Sequence, residues 1–326
     1  MKAAVRTDIS TTIGTGHLAR MSVLASALRN RGCEVHIFTG ADEPIDYGGY
    51  AIVVLDSYEL SDSYISSLRR RNPGSLLVCY DDNAYYEYDC DVVLNANFHA
   101  SELEFRTRGK PPVLLLGGHY ALLRDEFRDA SPIAIKPEAR RIFVCFGGSD
   151  ARGFTPKAVE ALRGFGGVAL EVVLGAYTDE RVDEEVLGMG SELVRVTKAP
   201  ERISDIMSKC DMAVAAGGVM VYELAALGLP TVTVTQAENQ RLSASYLERK
   251  GLMRNAGDWS GFDPERLKAE VSALMGDANL RKEASSRLLS AVDKNGAVNA
   301  ASAILKIYED RHQGTEESLC AADYKI

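Results

Sequence analysis

The chain has 326 residues, which suggests about two domains at roughly 150 residues per domain. Its formal net charge of -9 argues against a general nucleic-acid binder, because such a protein needs a basic face for phosphate contacts. No apolar run reaches the roughly 18 residues of a membrane span, and no signal-peptide apolar region follows Lys2, so we expect a cytoplasmic protein. The six cysteines form no CxxC pair and the five histidines show no metal-ligand spacing, so we expect buried free thiols and no bound metal.

Short apolar, β-branched runs alternate with helical patterns in the first half of the chain. The runs predict strands over residues 3–6, 35–38, 52–55, 76–80, 92–94 and 113–116. The spacing of apolar side chains predicts helices over 17–31, with Gly32 as the stop, and over 62–71. This alternation indicates parallel strands joined by crossover helices, a doubly wound sheet.

The pattern restarts after a linker-like stretch, residues 131–141, which contains two prolines. The strands predicted in the second half cover residues 142–146, 170–174, 212–215 and 231–235. The helices predicted there cover residues 155–162, 201–209, 219–227, 239–250, 264–275, 280–291 and 298–311.

The expected fold class is therefore α/β, with two Rossmann-like domains facing a cleft in a GT-B arrangement. We expect the domains to cover residues 1–135 and 136–312, followed by a frayed tail over 313–326. The alternative that the last helix packs back on the first domain stays open.

The segment TTIGTGH, residues 11–17, connects the first predicted strand to the first predicted helix. Gly14 and Gly16 let the backbone pass close to a ligand, and the N–H groups at the helix start carry about half a positive charge. His17 at this position can hold and deprotonate a water beside a diphosphate, and Arg20 can face the same phosphates. An ordinary glycine turn, with His17 near a helix start and Arg20 in solvent, explains the pattern equally well.

The segment AAGGVMVYELAALGLP, residues 215–230, runs from a predicted strand into a predicted helix. Free N–H groups at Gly217, Gly218 and Val219 suit a pyrophosphate. Glu223, one to two turns into the helix, can accept hydrogen bonds from two ribose hydroxyls. The alternative for Glu223 is a plain surface position.

The segment CFGGSD, residues 145–150, ends the first predicted strand of the second half. Gly147 and Gly148 allow close approach of a base or a phosphate, but a tight turn after the strand needs the same residue type.

Three polar segments follow predicted strands of the first half and should line one rim: LDSY, YDDN and LNANFH. Polar side chains there can bind the hydroxyl and amide groups of a sugar, although Asp and Asn are also common in ordinary turns. The candidates for sugar binding are Asp56, Tyr58, Asp82 and Asn95.

Six segments then occur in one order along the chain: IGTGHLAR, YDDN, CDVVLNAN, GGHYALLRDEF, FVCFGGSD and AENQ. Taken together, over about residues 1 to 255, they resemble the PseG/SpsG group of nucleotide-sugar hydrolases, which is similar in fold to the MurG-type glycosyltransferases. The type activity of that group is hydrolysis of UDP-2,4-diacetamido-2,4,6-trideoxy-β-L-altropyranose on the route to pseudaminic acid. Residues after about 255 extend beyond the shorter members of the group.

The resemblance implies water attack at the anomeric carbon of a UDP-sugar, which releases the free sugar and UDP without a metal or redox cofactor. It implies that His17 positions the water, that Asn239 lies near the diphosphate or the sugar, and that the nucleotide pocket is formed by Gly147, Gly148, Gly217, Gly218 and Glu223. As partners we expect the small-molecule UDP-sugar but no nucleic acid and no membrane, in a monomer or homodimer. Two alternatives stay open: a GT-B glycosyltransferase with an acceptor hydroxyl in place of water, and a non-catalytic homologue that binds a nucleotide-sugar.

Overall fold

A computed structural model describes residues 1–8, 16–39, 45–58 and 60–313. The chain divides into two compact units, which we call unit 1 and unit 2. Unit 1 comprises Met1–Arg124 together with the chain from Asp293 onward, and unit 2 comprises Asp125–Val292. In the described residues each unit is built on a six-stranded sheet with only parallel pairs.

Unit 1 contains the first eight strands and the first two helices of the described chain. The strands are β1 (Lys2–Thr7), β2 (Glu34–Thr39), β3 (Ile52–Asp56), β4 (Leu76–Tyr80), β5 (Glu87–Tyr88), β6 (Val92–Asn95), β7 (Arg106–Thr107) and β8 (Val113–Leu116). The first two helices are α1 (Gly16–Arg29) and α2 (Asp62–Arg71). The main sheet has the order β2-β1-β3-β4-β6-β8, and β5 pairs with β7 separately.

Unit 2 contains the next six strands and eight helices of the described chain. Its strands are β9 (Arg141–Cys145), β10 (Ala169–Leu174), β11 (Val194–Lys198), β12 (Met212–Ala216), β13 (Thr231–Thr235) and β14 (Arg254–Asp258), in the order β11-β10-β9-β12-β13-β14. Its helices are α3 (Asp125–Arg128), α4 (Phe154–Leu162), α5 (Glu180–Gly188), α6 (Ser204–Met207), α7 (Met220–Ala226), α8 (Arg241–Arg249), α9 (Pro264–Gly276) and α10 (Ala278–Ala291).

Both sheets have a switch point. There, the strands that follow the first strand of the unit in sequence change from one side of that strand to the other. In unit 1 the switch lies between β1 and β3, and in unit 2 it lies between β9 and β12. Parallel sheets bind ligands outside the carboxyl ends of the strands at such a point. The segments that follow these four strands are therefore the first candidates for a ligand site.

The last helix, α11 (Gly296–His312), packs with unit 1. Ala300, Ile304 and Ile307 are buried in the same apolar cluster as Leu24 and Leu28 of α1. At Gly296 a Cβ atom would lie 2.3 Å from the carbonyl oxygen of Ala121, so the start of α11 approaches unit 1 as only glycine allows. The alternative in which the last helix packs back on the first domain therefore holds.

The unit boundaries differ from the expected ranges 1–135 and 136–312. The first unit ends at Arg124, eleven residues earlier, and α11 clusters with it. Apart from Gln313, the expected tail over 313–326 lies outside the described residues.

The expected helix over 201–209 was too long, because only Ser204–Met207 is α-helical. The sequence pattern also missed the helices α3 and α5 and the strands β5, β7, β11 and β14. No helix in the described ranges is long and apolar enough to cross a membrane. The five cysteines within those ranges are buried and form no disulfide with one another: Cys33, Cys79, Cys90, Cys145 and Cys210.

Candidate functional site

The start of α1 places two polar side chains beside the switch point of unit 1. His17 and Arg20 are three residues apart and thus share one face of the helix. Both are only 5% exposed, and Asp56, the last residue of β3, is 1% exposed. Gly16 is the first residue of α1, whereas Gly14 lies outside the described residues.

The guanidinium of Arg20 is the centre of a polar cluster in unit 1. Its Nε and Nη2 donate to the two carboxylate oxygens of Asp56 at 2.7 and 2.5 Å, and Nη1 donates to Oδ2 of Asp82 at 2.6 Å. Its Cζ lies 4.1 Å from the ring centroid of Tyr80. Arg20 therefore neither faces solvent nor presents its charge to a phosphate, the two roles that the sequence suggested, because these carboxylates and the ring enclose it.

Charge pairing keeps two members of this cluster, Arg20 and Asp82, ionised. Burial alone lowers the pKa of Arg20, but the carboxylates of Asp56 and Asp82 raise it well above the ordinary value. Burial alone raises the pKa of Asp82, but the charge and hydrogen bond of Arg20, aided by the Tyr58 hydroxyl, lower it below the ordinary value. Arg20 and Asp82 therefore remain charged near neutral pH.

The imidazole of His17 is held against this cluster. Its Nδ1 lies 2.8 Å from Oδ1 of Asp56 and 3.1 Å from Nη2 of Arg20. The ring of Tyr58 packs edge-on against the imidazole, with the centroids 4.4 Å apart, and its hydroxyl donates to Oδ2 of Asp82 at 2.8 Å. Asp56, Tyr58 and Asp82, which come from two other sequence segments, thus form one contact network with His17 and Arg20.

Asn95 ends β6 and joins the network through Asn97. The side-chain oxygen of Asn95 accepts from the backbone N–H of Asn97 at 2.9 Å, and Nδ2 of Asn97 donates to the backbone oxygen of Asp82 at 2.9 Å. The Nδ2 of Asn95 is buried without a hydrogen-bond partner among the described residues. Asn97 and Tyr80 were not candidates from the sequence, although they lie in the polar segments LNANFH and YDDN.

The glycines of unit 2 follow β9 and β12, the two strands at the switch point. Gly147 and Gly148 come directly after Phe146, and their backbone packs tightly against the end of β10. A Cβ atom at Gly175 would lie 2.2 Å from the carbonyl oxygen of Gly148, so any side chain at Gly175 would displace this loop. The loop after β9 is thus fixed by its neighbour strand.

Two glutamines and an aspartate, which the sequence analysis did not single out, organise the same edge of unit 2. Asp150 accepts from the backbone N–H groups of Phe154 and Thr155 at 2.8 Å, and Nε2 of Gln236 donates to it at 3.2 Å. Oε1 of Gln240 accepts from the backbone N–H of Gln236 at 2.8 Å. The loops after β9 and β13 are thereby linked.

The side chain of Gln240 also lies beside the second glycine pair, because a Cβ atom at Gly218 would be 3.4 Å from its Nε2. Asn239, which the resemblance placed near the diphosphate or sugar, is exposed in the short 3₁₀ helix Glu238–Gln240. Within AENQ, the residue beside the glycines is therefore Gln240.

Glu223 is buried in α7, with 7% of its surface exposed, so the alternative of a plain surface position is wrong. Val219, at the start of the same helix, is 42% exposed and available to a ligand. Gly217 and Gly218 connect β12 to this helix.

A comparison with protein families matches residues 142–302 to the glycosyltransferase family 28 C-terminal domain. The match covers nearly the whole series from β9 to α10 and extends into α11.

Three curated relatives cover most of the chain. An uncharacterized protein of Methanocaldococcus jannaschii is 27% identical over 74% of this chain. The matched region spans only 57% of the length of that protein. The spore coat polysaccharide biosynthesis protein SpsG of Bacillus subtilis is 20% identical over 91% of this chain and 95% of its own length. The UDP-2,4-diacetamido-2,4,6-trideoxy-β-L-altropyranose hydrolase of Campylobacter jejuni is 24% identical over 77% of this chain and 97% of its own length.

Among solved structures, Acinetobacter baumannii MurG superposes with a TM-score of 0.64 at 17% identity, over 94% of this chain and 100% of that one. This likeness and the two strand orders confirm the expected fold class, with two Rossmann-like units of the GT-B glycosyltransferase type. The chain is a homologue of the UDP-2,4-diacetamido-2,4,6-trideoxy-β-L-altropyranose hydrolases and of SpsG, and its second unit resembles the family 28 glycosyltransferase C-terminal domain.

Proposed function

We propose that this protein hydrolyses UDP-2,4-diacetamido-2,4,6-trideoxy-β-L-altropyranose, or a related UDP-sugar, to UDP and the free sugar. The observation that carries the proposal is His17, a buried imidazole beside the switch point of unit 1 with Nδ1 on a carboxylate, in a homologue of UDP-sugar hydrolases. A general base at the ligand-binding edge of a sheet is what water attack requires.

In the proposed step His17 takes one proton from a water while the water oxygen bonds to the anomeric carbon. The bond from that carbon to the diphosphate oxygen breaks, and its electron pair leaves with UDP. The remaining water proton stays on the new sugar hydroxyl. Backbone N–H groups at Gly217 and Gly218 would stabilise the leaving diphosphate, since such donors act where negative charge develops.

Unit 2 is the proposed nucleotide-binding part. Its glycine pairs follow the two strands of the switch point, where parallel sheets bind ligands, and it matches the glycosyltransferase family 28 C-terminal domain. Glu223 is the proposed ribose ligand, and Gly147 and Gly148 would approach the base or the diphosphate. In unit 1, Asn95 is the proposed sugar contact, because its buried Nδ2 has no hydrogen-bond partner among the described residues.

The second candidate is transfer of the sugar to an acceptor hydroxyl. The match of residues 142–302 to the family 28 C-terminal domain favours it, because that family is one of glycosyltransferases. Hydrolysis and transfer use the same base and leaving group, so they differ only in which hydroxyl attacks.

The deciding experiment incubates the purified chain with UDP-2,4-diacetamido-2,4,6-trideoxy-β-L-altropyranose in ¹⁸O-labelled water without any acceptor. We expect release of UDP without ¹⁸O, because the bond broken is on the sugar side of the oxygen. The sugar should carry the label at the anomeric hydroxyl, and unlabelled free sugar in the same water controls for spontaneous exchange. UDP release that needs an acceptor would establish transfer instead, and label in UDP would mean attack at phosphorus.

A further inference from the structure

The Nδ1 atom of His17 faces two groups with opposite requirements. Asp56 can only accept a hydrogen bond, and its Oδ1 lies 2.8 Å away. Arg20 can only donate, and its Nη2 lies 3.1 Å away. Nδ1 can satisfy one of them at a time, and the choice decides which ring nitrogen carries the proton of the neutral imidazole.

The electrostatics favour a proton on Nδ1. Without it, a nitrogen lone pair would lie 2.8 Å from a carboxylate oxygen in a buried site, where such repulsion is poorly screened. With it, Nδ1 donates to Asp56, and the longer contact with Arg20 is tolerable because Nη2 donates to the same Oδ1 at 2.5 Å. Both donors then share one acceptor.

Arg20 holds Asp56 in this position. Two of its three nitrogens bind the carboxylate in a fork, and the third is tied to Asp82. Asp82 is itself held by the hydroxyl of Tyr58. The carboxylate of Asp56 therefore has little freedom to rotate away from His17.

The formal charges of the cluster also suit His17 as an acceptor of a proton. One guanidinium and two carboxylates, all buried or nearly so, leave the cluster with a net charge of -1 while His17 is neutral. The proton that the imidazole takes from the attacking water brings the formal charge of these four groups to zero.

We infer that Asp56 is a positioning residue, which keeps the proton of His17 on Nδ1 so that Nε2 is the basic nitrogen. Arg20 bridges Asp56 to Asp82 and thereby holds the Asp56 carboxylate against His17. The inference rests on the proposed function in that it names how the base of that reaction is prepared. It reassigns Asp56 and Asp82 from sugar binding to support of His17.

The first test is the tautomer itself, read by ¹⁵N–¹H correlation spectroscopy of the wild-type chain with ¹⁵N-labelled histidine in mildly alkaline solution. The His17 signals are assigned by their loss in His17→Asn. We expect a protonated Nδ1 and an unprotonated Nε2. A proton on Nε2 in the wild type would overturn the inference, whatever the activity of the enzyme.

The second test replaces Asp56 with Asn. The amide has one acceptor oxygen, which the fork of Arg20 claims, so its NH₂ turns to His17 and forces the proton onto Nε2. We expect turnover to fall about 10²–10⁴-fold, the usual worth of a general base, while UDP affinity stays within a few-fold. The NMR spectrum should show the other tautomer, which a merely structural role would not cause.

Asp91→Asn is the matched control, because Asp91 also pairs with arginines of unit 1, Arg69 and Arg311, but does not contact His17. It should cost stability and leave turnover and tautomer unchanged.

If Asp56→Asn folds and turns over at the wild-type rate, or keeps the wild-type tautomer, the inference fails. A wild type with Nδ1 protonated that releases no UDP would instead refute the proposed function and leave the assignment of the tautomer standing.

Discussion

Arg20 shows how a single side chain can join residues that the sequence separates widely. It binds Asp56 and Asp82, which are 36 and 62 positions away, and brings both to the start of α1. Removing one partner of a buried ion pair leaves an uncompensated charge. The three charged residues therefore depend on one another for their stability. The position of the His17 imidazole accordingly depends on the whole cluster.

Glu223 is the residue on which the nucleotide proposal depends. We expect Glu223→Gln to weaken UDP binding by about 1.5–3 kcal/mol, the range for hydrogen bonds to a charged group, because a neutral amide replaces the carboxylate that accepts from the ribose. Titration calorimetry with UDP measures the change. Gln is preferred to Ala, because Glu223 is buried and truncation would also create a cavity.

The control for this substitution is Glu248→Gln on the exposed side of α8, which should leave the dissociation constant unchanged. An unaltered constant for Glu223→Gln would assign the buried carboxylate to the packing of α7 rather than to ribose.

Among the elements, the end of β10 and the loop after β9 depend on one contact. We expect Gly175→Ala to lower the free energy of unfolding by about 1–3 kcal/mol, because its Cβ would lie 2.2 Å from the carbonyl oxygen of Gly148 and must push the loop away. UDP binding should weaken with it, since the displaced loop carries Gly147 and Gly148. Urea denaturation and calorimetry measure the two effects.

Gly164→Ala is the comparison, because a Cβ atom there would have no neighbour within 4 Å. It should change stability by no more than about 0.5 kcal/mol. Equal stability and equal UDP affinity for the two variants would show that the loop after β9 adapts freely and has no role in the nucleotide site.

Strands that are buried on both faces were predictable from sequence, whereas two of the partly exposed strands, β11 and β14, were not. All five residues of β3, β4, β12 and β13 are buried, and each appears as a continuous apolar or β-branched run. The edge strands β11 and β14 are only partly buried. Their sequences, VRVTK and RNAGD, carry too few apolar residues to indicate a strand.

At the scale of the whole molecule, the repeated alternation of strands and helices indicated two Rossmann-like units but not where the chain divides. The division at Arg124 and the return of α11 to unit 1 depend on long-range packing, such as that of Ile304 against the cluster around α1. The residues at strand ends were predictable because parallel strands bring their carboxyl ends to one edge. Their partners were not, because which side chains meet depends on the exact placement of loops and helices.

The most direct test of the account is the turnover of His17→Asn on the UDP-sugar, measured at saturating substrate and per folded molecule, with UDP affinity measured in parallel. Asn keeps a polar side chain but cannot act as a base near neutral pH, so turnover should fall about 10²–10⁴-fold while UDP affinity stays within a few-fold. His36→Asn, at an exposed histidine of β2, should retain the wild-type rate. A His17→Asn variant that folds, binds UDP and hydrolyses at near the wild-type rate would contradict the account and direct attention to Asp8, whose buried Oδ2 has no hydrogen-bond partner among the described residues.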